Sequence, residues 1–203
     1  MKTILIPTSS EKAIPAAIKI LQRGGLIALP TDTVYGLAAL ASNRAAIERL
    51  YIAKERSPQK AIAVLIGSEG QIDQVVEHFS AAAKRLTRLY WPGALTLVVS
   101  KNPDLPANLS PTPTIGVRMP DHAFALELLR KVGPLATTSA NLSGGPNPRD
   151  AGEVLAQLDG RIELILDGGP AYSGIPSTIV DCTGTGLTIL REGAISASDI
   201  LNV

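Results

Sequence analysis

Leu26-Ile27-Ala28-Leu29-Pro30-Thr31-Asp32-Thr33-Val34-Tyr35-Gly36-Leu37 opens as a short apolar strand and runs into hydroxyls, a carboxylate and a glycine. Four consecutive apolar residues need cover on both faces, which a sheet flanked by helices supplies. In such sheets polar ligands meet the protein at strand ends. One helix later the chain delivers Lys54-Glu55-Arg56. Thr137-Thr138-Ser139-Ala140-Asn141 repeats the passage from strand to hydroxyls, and Arg118 and Arg191 each close a short strand.

Working outward, apolar runs alternate with helical spacings. A strand near Thr3–Pro7 precedes a helix over Ala13–Arg23, with Pro15 in its first turn and Gly24-Gly25 stopping it. Asn43 caps a helix through Ala53 that leads to a strand at Ile62–Ile66. Helices are predicted over Gln71–His78 and Ala81–Leu89, before Trp91-Pro92-Gly93 turns the chain into the strand Leu95–Ser100. After a proline-rich loop, Asn102–Pro113, come a strand at Thr114–Arg118, a helix capped by Asp121 and a strand at Leu135–Ser139. A Gly/Pro loop, Asn141–Arg149, leads to a helix capped near Asp150. Strands at Ile162–Leu166, Thr178–Asp181 and Leu187–Arg191 follow, the first two separated by the loop Gly168–Gly174, and a short helix starts near Ala197. Only a few residues join the last two strands, so they pair antiparallel. The expected fold is α/β, with a twisted mixed parallel and antiparallel sheet, flanking helices, and one domain over residues 1–203.

Composition narrows the function. Apolar residues make up 45% of the 203, and mean hydropathy is +0.21, enough for a large core. Nineteen basic against 18 acidic residues leave a net charge of +1, so no bulk field draws nucleic acid. One Trp, four Tyr and two Phe disfavour recognition of single strands by stacking. The lone Cys182 excludes an intrachain disulfide and a Cys-rich metal site. Ile4-Leu5-Ile6 is too short for a secretory core, and no apolar run reaches membrane-spanning length. A cytoplasmic protein without membrane contact is expected.

Side chains at i and i+2 share a strand face. Thr137, Ser139 and Asn141 form one such row, Thr114, Gly116 and Arg118 a second, Thr31, Thr33 and Tyr35 a third, Lys54 and Arg56 a fourth. Taken singly, strand-end hydroxyls satisfy turns, and Lys54 and Arg56 either complement a helix C-terminus or bind an anion. Arg118 and Arg191, beside apolar strands, each need a carboxylate or phosphate partner. Together the rows point to one site for small anions. The chain has no Gly-x-x-x-x-Gly-Lys phosphate loop and no Gly-x-Gly-x-x-Gly fingerprint. With only His78 and His122, neither a His metal cluster nor a Ser–His–Asp triad is expected. The cations would act by binding and charge neutralisation, as in phosphoryl or nucleotidyl transfer.

Pro30–Leu37, Lys54-x-Arg56, Trp91-Pro92-Gly93, Gly116-Val117-Arg118-x-Pro120, Ser139-Ala140-Asn141-x-Ser143-Gly144, Ser177-Thr178-x-Val180-Asp181 and Leu190-Arg191-x-Gly193, in this order, resemble the YrdC/Sua5 family. The resemblance implies a YrdC-like fold with a concave basic cavity. It implies L-threonylcarbamoyladenylate synthase activity: L-threonine, bicarbonate and ATP give threonylcarbamoyl-AMP and pyrophosphate. The product would feed N6-threonylcarbamoyladenosine synthesis at position 37 of tRNA through a downstream threonylcarbamoyl-transferase machinery. Thr33, Arg118, Thr137 and Ser177 would hold L-threonine. Arg56, Lys60, Thr114, Ser139, Asn141, Asn147 and Arg191 would meet ATP, with Lys54 and Arg56 as the catalytic cations and Mg²⁺ arriving on the triphosphate. Two departures stand out: Ser57 separates Arg56 from Pro58, and Leu65 occupies a position where some longer relatives carry His. The competing readings are a non-catalytic RNA-binding or ribosome-associated factor, with tRNA or duplex RNA in the same cavity, and a paralogue of altered activity.

Overall fold

The computed structural model describes residues 2–171 and 173–202, so Tyr172 of the predicted loop Gly168–Gly174 lies outside the described residues. Among the described residues eleven strands join in one sheet. They are β1 (Ile4–Pro7), β2 (Ile27–Leu29), β3 (Gly36–Leu40), β4 (Ala63–Leu65), β5 (Val76–His78), β6 (Leu95–Lys101), β7 (Thr114–Arg118), β8 (Leu135–Ser139), β9 (Leu164–Asp167), β10 (Thr178–Asp181) and β11 (Thr188–Arg191). The helices are α1 (Ala13–Gln22), α2 (Arg44–Lys54), α3 (Ile72–Val75), α4 (Ala81–Tyr90), α5 (Ala123–Val132), α6 (Ala151–Leu158) and α7 (Ala197–Leu201). Across the sheet the order is β1-β9-β2-β3-β8-β4-β7-β6-β10-β11, with β5 against β6. Parallel pairs (β1–β9, β2–β9, β4–β7, β6–β10) mix with antiparallel ones such as β3–β8, β6–β7 and β10–β11. The fold is the expected mixed α/β sheet.

Strand alternation sorts the apolar residues into two cores. Val64, Leu97, Val117, Ala136 and Ile165 point to one face, where Ile47 and Leu50 of α2, Leu86 of α4 and Val154 of α6 cover them. Ile27, Leu29, Ala38, Leu65, Leu135 and Leu164 point to the other, under Ala13, Ala17 and Leu21 of α1 and Leu128 and Leu129 of α5. Helix ends follow local chemistry: the side chains of Asn43, Ser80, Asp150 and Ser196 accept backbone N–H bonds at the starts of α2, α4, α6 and α7.

Four expectations change. β3 lies inside what reads as a polar strand end, because Gly36–Leu40 is covered on both faces and shows no alternation. The Gln71–His78 segment is a 3-10 turn and the single-turn α3, after which Val76 and His78 pair with Lys101 and Ser100 as β5. His122, rather than Asp121, caps α5, its Nδ1 accepting from Ala125 N at 3.4 Å. Thr31, Thr33 and Tyr35 do not form a strand row: Thr31 Oγ1 donates to Val34 O at 2.7 Å and accepts from Thr33 N at 3.2 Å, folding the segment into a turn.

The C-terminal part of the sheet depends on close backbone contact at Gly193. A Cβ there would lie 2.2 Å from Pro176 O and 2.6 Å from Ser177 C. Gly193 N and Ile195 N both donate to Thr178 Oγ1, at 2.9 and 3.1 Å, locking the chain against the start of β10. Gly193→Ala is expected to cost about 2 kcal/mol through overpacking, read as a lower urea midpoint with an unchanged slope.

Candidate functional site

On the face that α1 and α5 cover, the strands continue past those helices, and there the outward-pointing residues become small or polar. Gly36 of β3, Thr137 and Ser139 of β8, Ala63 and Leu65 of β4, Arg118 of β7, Thr96 of β6 and Ile179 of β10 floor a cleft of about 280 Å³. Thr31, Thr33, Arg56, Asn147, Ser177 and Arg191 complete its walls. Close packing demands glycine here: a Cβ on Gly36 in the floor would meet Thr137 Cγ2 at 2.8 Å, and one on Gly116 of β7 would meet Thr96 Cγ2 at 3.1 Å.

Arg118 is the centre of this cleft. Its Nε donates to Gly93 O at 2.9 Å, Nη1 to Thr33 Oγ1 at 2.8 Å and Nη2 to Asp32 Oδ1 at 2.5 Å. A guanidinium has five N–H groups, so two remain for a ligand. The Arg118 and Asp32 side chains are 8% and 14% exposed, and burial pulls the Arg118 pKa below its ordinary value against the opposing charge of Asp32. The carboxylate that Arg118 demands is therefore within the chain. Thr33 O accepts from Gly174 N at 2.9 Å, and Tyr35 OH donates to Gly169 O at 2.7 Å, so the turn gripped by Arg118 also carries the 168–174 loop.

Opposite it, Arg191 donates from Nε and Nη2 to Ser177 O, at 3.2 and 2.7 Å, while Ser177 Oγ and Thr96 Oγ1 lie 2.7 Å apart. Arg56 reaches the cleft because Glu55 ends α2 in the left-handed conformation, φ 53°, and reverses the chain. Its Nη2 donates to Ala61 O at 2.9 Å, and burial lowers its pKa as it lowers that of Arg191.

Of the sequence-predicted site residues, Thr33, Arg56, Arg118, Thr137, Ser139, Asn147, Ser177 and Arg191 converge on the cleft. Lys54, Lys60, Thr114 and Asn141 do not line it. Lys60 is exposed, and Thr114 Oγ1 pairs with Thr112 Oγ1 at 2.9 Å. The reversal at Glu55 separates Lys54 from Arg56, so the two are not a strand row: Lys54 lies behind β8, bonded to Ser139 O and to Asn141. Thr96 escaped sequence reasoning, although it is the one hydroxyl between Leu95 and Leu97 and so faces away from the apolar core.

The family model described as telomere recombination, covering Sua5, YciO and YrdC, matches residues 19–193. A putative threonylcarbamoyl-AMP synthase of Mycobacterium tuberculosis is 41% identical over 198 residues, 97% of this chain and 91% of that protein. The threonylcarbamoyl-AMP synthase of Bacillus subtilis is 39% identical over 95% of this chain and 57% of its own length. The crystal structure of Pyrococcus abyssi Sua5 complexed with L-threonine superimposes with a TM-score of 0.94 at 36% identity, over 98% of this chain and 60% of that one. The chain thus spans a little over half of those two longer proteins.

The Asp32–Arg118 pair gives a stability test. Asp32→Asn leaves a buried guanidinium without its counter-charge and is expected to cost about 3 kcal/mol. Urea unfolding at pH 7 checks this, with Glu48→Gln at the exposed Arg44–Glu48 pair as a control changing stability by less than about 0.5 kcal/mol.

Proposed function

Because the chain belongs to the Sua5–YciO–YrdC family, we propose that it is a threonylcarbamoyl-AMP synthase, an enzyme that transfers the adenylyl group of ATP. The observation that carries this reading is a single cleft that gathers Arg56, Arg118 and Arg191 with polar side chains. We read Arg118 with the hydroxyls of Thr33, Thr96, Thr137 and Ser177 as a first group, and Arg56, Ser139, Asn147 and Arg191 as a second. The first group suits a small hydroxy amino acid. Its carboxylate would take the two remaining N–H groups of Arg118, and the hydroxyls would meet its polar atoms. The second suits a polyphosphate.

The chemistry needs two bonds formed side by side. The neutral amine of threonine attacks bicarbonate-derived CO₂, forming the N–C bond of a carbamate and losing a proton. A carbamate oxygen then attacks the α-phosphorus of ATP, and the bond from that phosphorus to the bridging oxygen breaks as pyrophosphate leaves. Carboxylate, carbamate and triphosphate are all anionic, so holding them together requires cations on facing walls. Arg118, Arg56 and Arg191 answer that requirement by orienting the reactants and neutralising charge. Mg²⁺ would enter as part of Mg-ATP. Among the described residues no group of three His, Cys, Asp or Glu side chains could hold a metal, and Asp32 is engaged by Arg118; the triphosphate oxygens would supply the ligands. The product, a mixed anhydride, would pass to a tRNA threonylcarbamoyl-transferase machinery. Among the described residues no helix is long and apolar enough to cross a membrane.

The purified protein, given Mg-ATP, bicarbonate and L-threonine, should release pyrophosphate only when threonine is present. Arg118→Lys loses the planar grip and should raise the threonine KM at least tenfold, a loss of about 1.4 kcal/mol. Arg56→Ala and Ser139→Ala should instead depress turnover with ATP. Full turnover in both would overturn the site assignment. Salt-dependent binding to duplex RNA without ATP consumption would favour the RNA-binding reading.

A further inference from the structure

Among the described residues the most deeply buried charged side chain is Lys54, 1% exposed, and it does not line the cleft. Its Nζ donates to Ser139 O, to Asn141 O at 2.6 Å and to Asn141 Oδ1 at 3.2 Å. An ammonium has three N–H groups, and all three are used. Every acceptor is neutral. None of the ion pairs among the described residues involves Lys54, and Glu55 next to it turns away to Arg161 at 2.8 Å. A buried cation held this way lacks the counter-charge that Asp32 gives Arg118.

The bonds around it lead to the cleft. Asn141 Oδ1 accepts from both Lys54 Nζ and Ser139 Oγ, the latter at 2.5 Å, and Asn141 Nδ2 donates to Leu142 O and Gly145 O. Lys54 O accepts from Ser143 N at 2.9 Å. One ammonium therefore fixes the end of β8, the hydroxyl of Ser139 that faces the cleft, and the loop that continues to Asn147. Arg56, the other cation acting on Lys54, also lines the cleft.

We propose that Lys54 is a positioning residue for the polyphosphate half of the cleft, whose ammonium holds Ser139 and Asn141 in place and whose charge is favoured when phosphates bind beside Ser139. This rests on the reading of the Arg56–Ser139–Asn147–Arg191 group as the ATP subsite. Neutral lysine offers two N–H groups to three acceptors, so the bonding pattern calls for the charged form. Burial, with a smaller contribution from Arg56, drives the other way and lowers the Lys54 pKa to about 7. From the surrounding elements, β8 and the 141–145 loop present carbonyls, Ser139, Asn141 and Ser143, with Arg56 the one charged group that acts on it. A polyanion beside Ser139 favours the ammonium and raises that pKa. Binding is then coupled to proton uptake: little below pH 7, where Lys54 is already charged, and increasing as pH rises above 7.

The experiment is calorimetric titration of the full chain with magnesium pyrophosphate at pH 6, 7 and 8, in buffers of different ionisation enthalpy. Wild type should take up more protons than Lys54→Met, by a margin that grows from pH 6 to pH 8 towards one per site. Lys54→Met should bind at least tenfold more weakly at pH 7. Should that variant not fold, wild type labelled with ¹³Cε-lysine gives the same information. One lysine resonance should titrate near 7 and move upward by at least one pH unit with saturating magnesium pyrophosphate. Equal proton uptake in both proteins, or a resonance unmoved by the ligand, overturns the proposal. Absence of threonine-dependent pyrophosphate release alongside this coupling would refute the synthase reading and leave the role of Lys54 standing.

Discussion

A guanidinium withdrawn from water has to find acceptors for its protons and a counter-charge for itself. Arg118 finds them on three separate stretches of chain: the carbonyl of Gly93, the hydroxyl of Thr33 and the carboxylate of Asp32. β7 is thereby tied to the turn after β2 and to the turn before β6. Because Thr33 and Tyr35 in turn hold the 168–174 loop, one side chain determines the relation between the floor and two walls of the cleft. Complete fixation of this kind also keeps the two unspent N–H groups in one orientation, which is what recognition of a planar carboxylate requires.

The cleft lies where the cover of α1 and α5 over one face of the sheet ends. Leu65, Leu135 and Ala38 lie under α1 and α5, and the same rows continue as Ala63, Thr137, Ser139 and Gly36 once the cover ends. Strand periodicity thus produces both the apolar core and the polar floor, and only the identity of each second residue changes. On the opposite face Val64, Ala136 and Val117 stay apolar throughout, since α2, α4 and α6 cover that side.

Much of this was readable in advance where chemistry is local. The strand Thr114–Arg118, the caps at Asn43 and Asp150 and the antiparallel last pair follow from residue type and spacing, and the structure has each of them. The segments that misled are those whose state is set by distant partners. Gly36–Leu40 has no period of its own and becomes a strand through β2 and β8 on its two sides. Val76 and His78 leave the helical pattern because β6 offers backbone partners. Within the site, Arg118, Thr137 and Ser139 reach the cleft from regular strands, whereas Thr114 at the start of β7 does not. Lys54 and Arg56 did not stay together, since a left-handed residue between them cannot be inferred when it is Glu rather than Gly. The partner of Arg118 was visible in the sequence as Asp32, but adjacency across 86 positions is a property of the fold alone.

The sheet order carries a consequence for how the protein comes into being on the ribosome. β9 inserts between β1 and β2, and Thr3 Oγ1 bonds to Ile162 O across 159 positions of chain. The first two strands therefore emerge long before the segment that joins them, and their unpaired edges stay open while most of the polypeptide is still being made. The cleft itself draws on residues from Thr31 to Arg191. A nascent chain that has emerged as far as Asn147 already carries the floor residues from β3 to β8 but lacks Ser177, Ile179 and Arg191, so the cleft is complete only once β10 and β11 have joined the sheet.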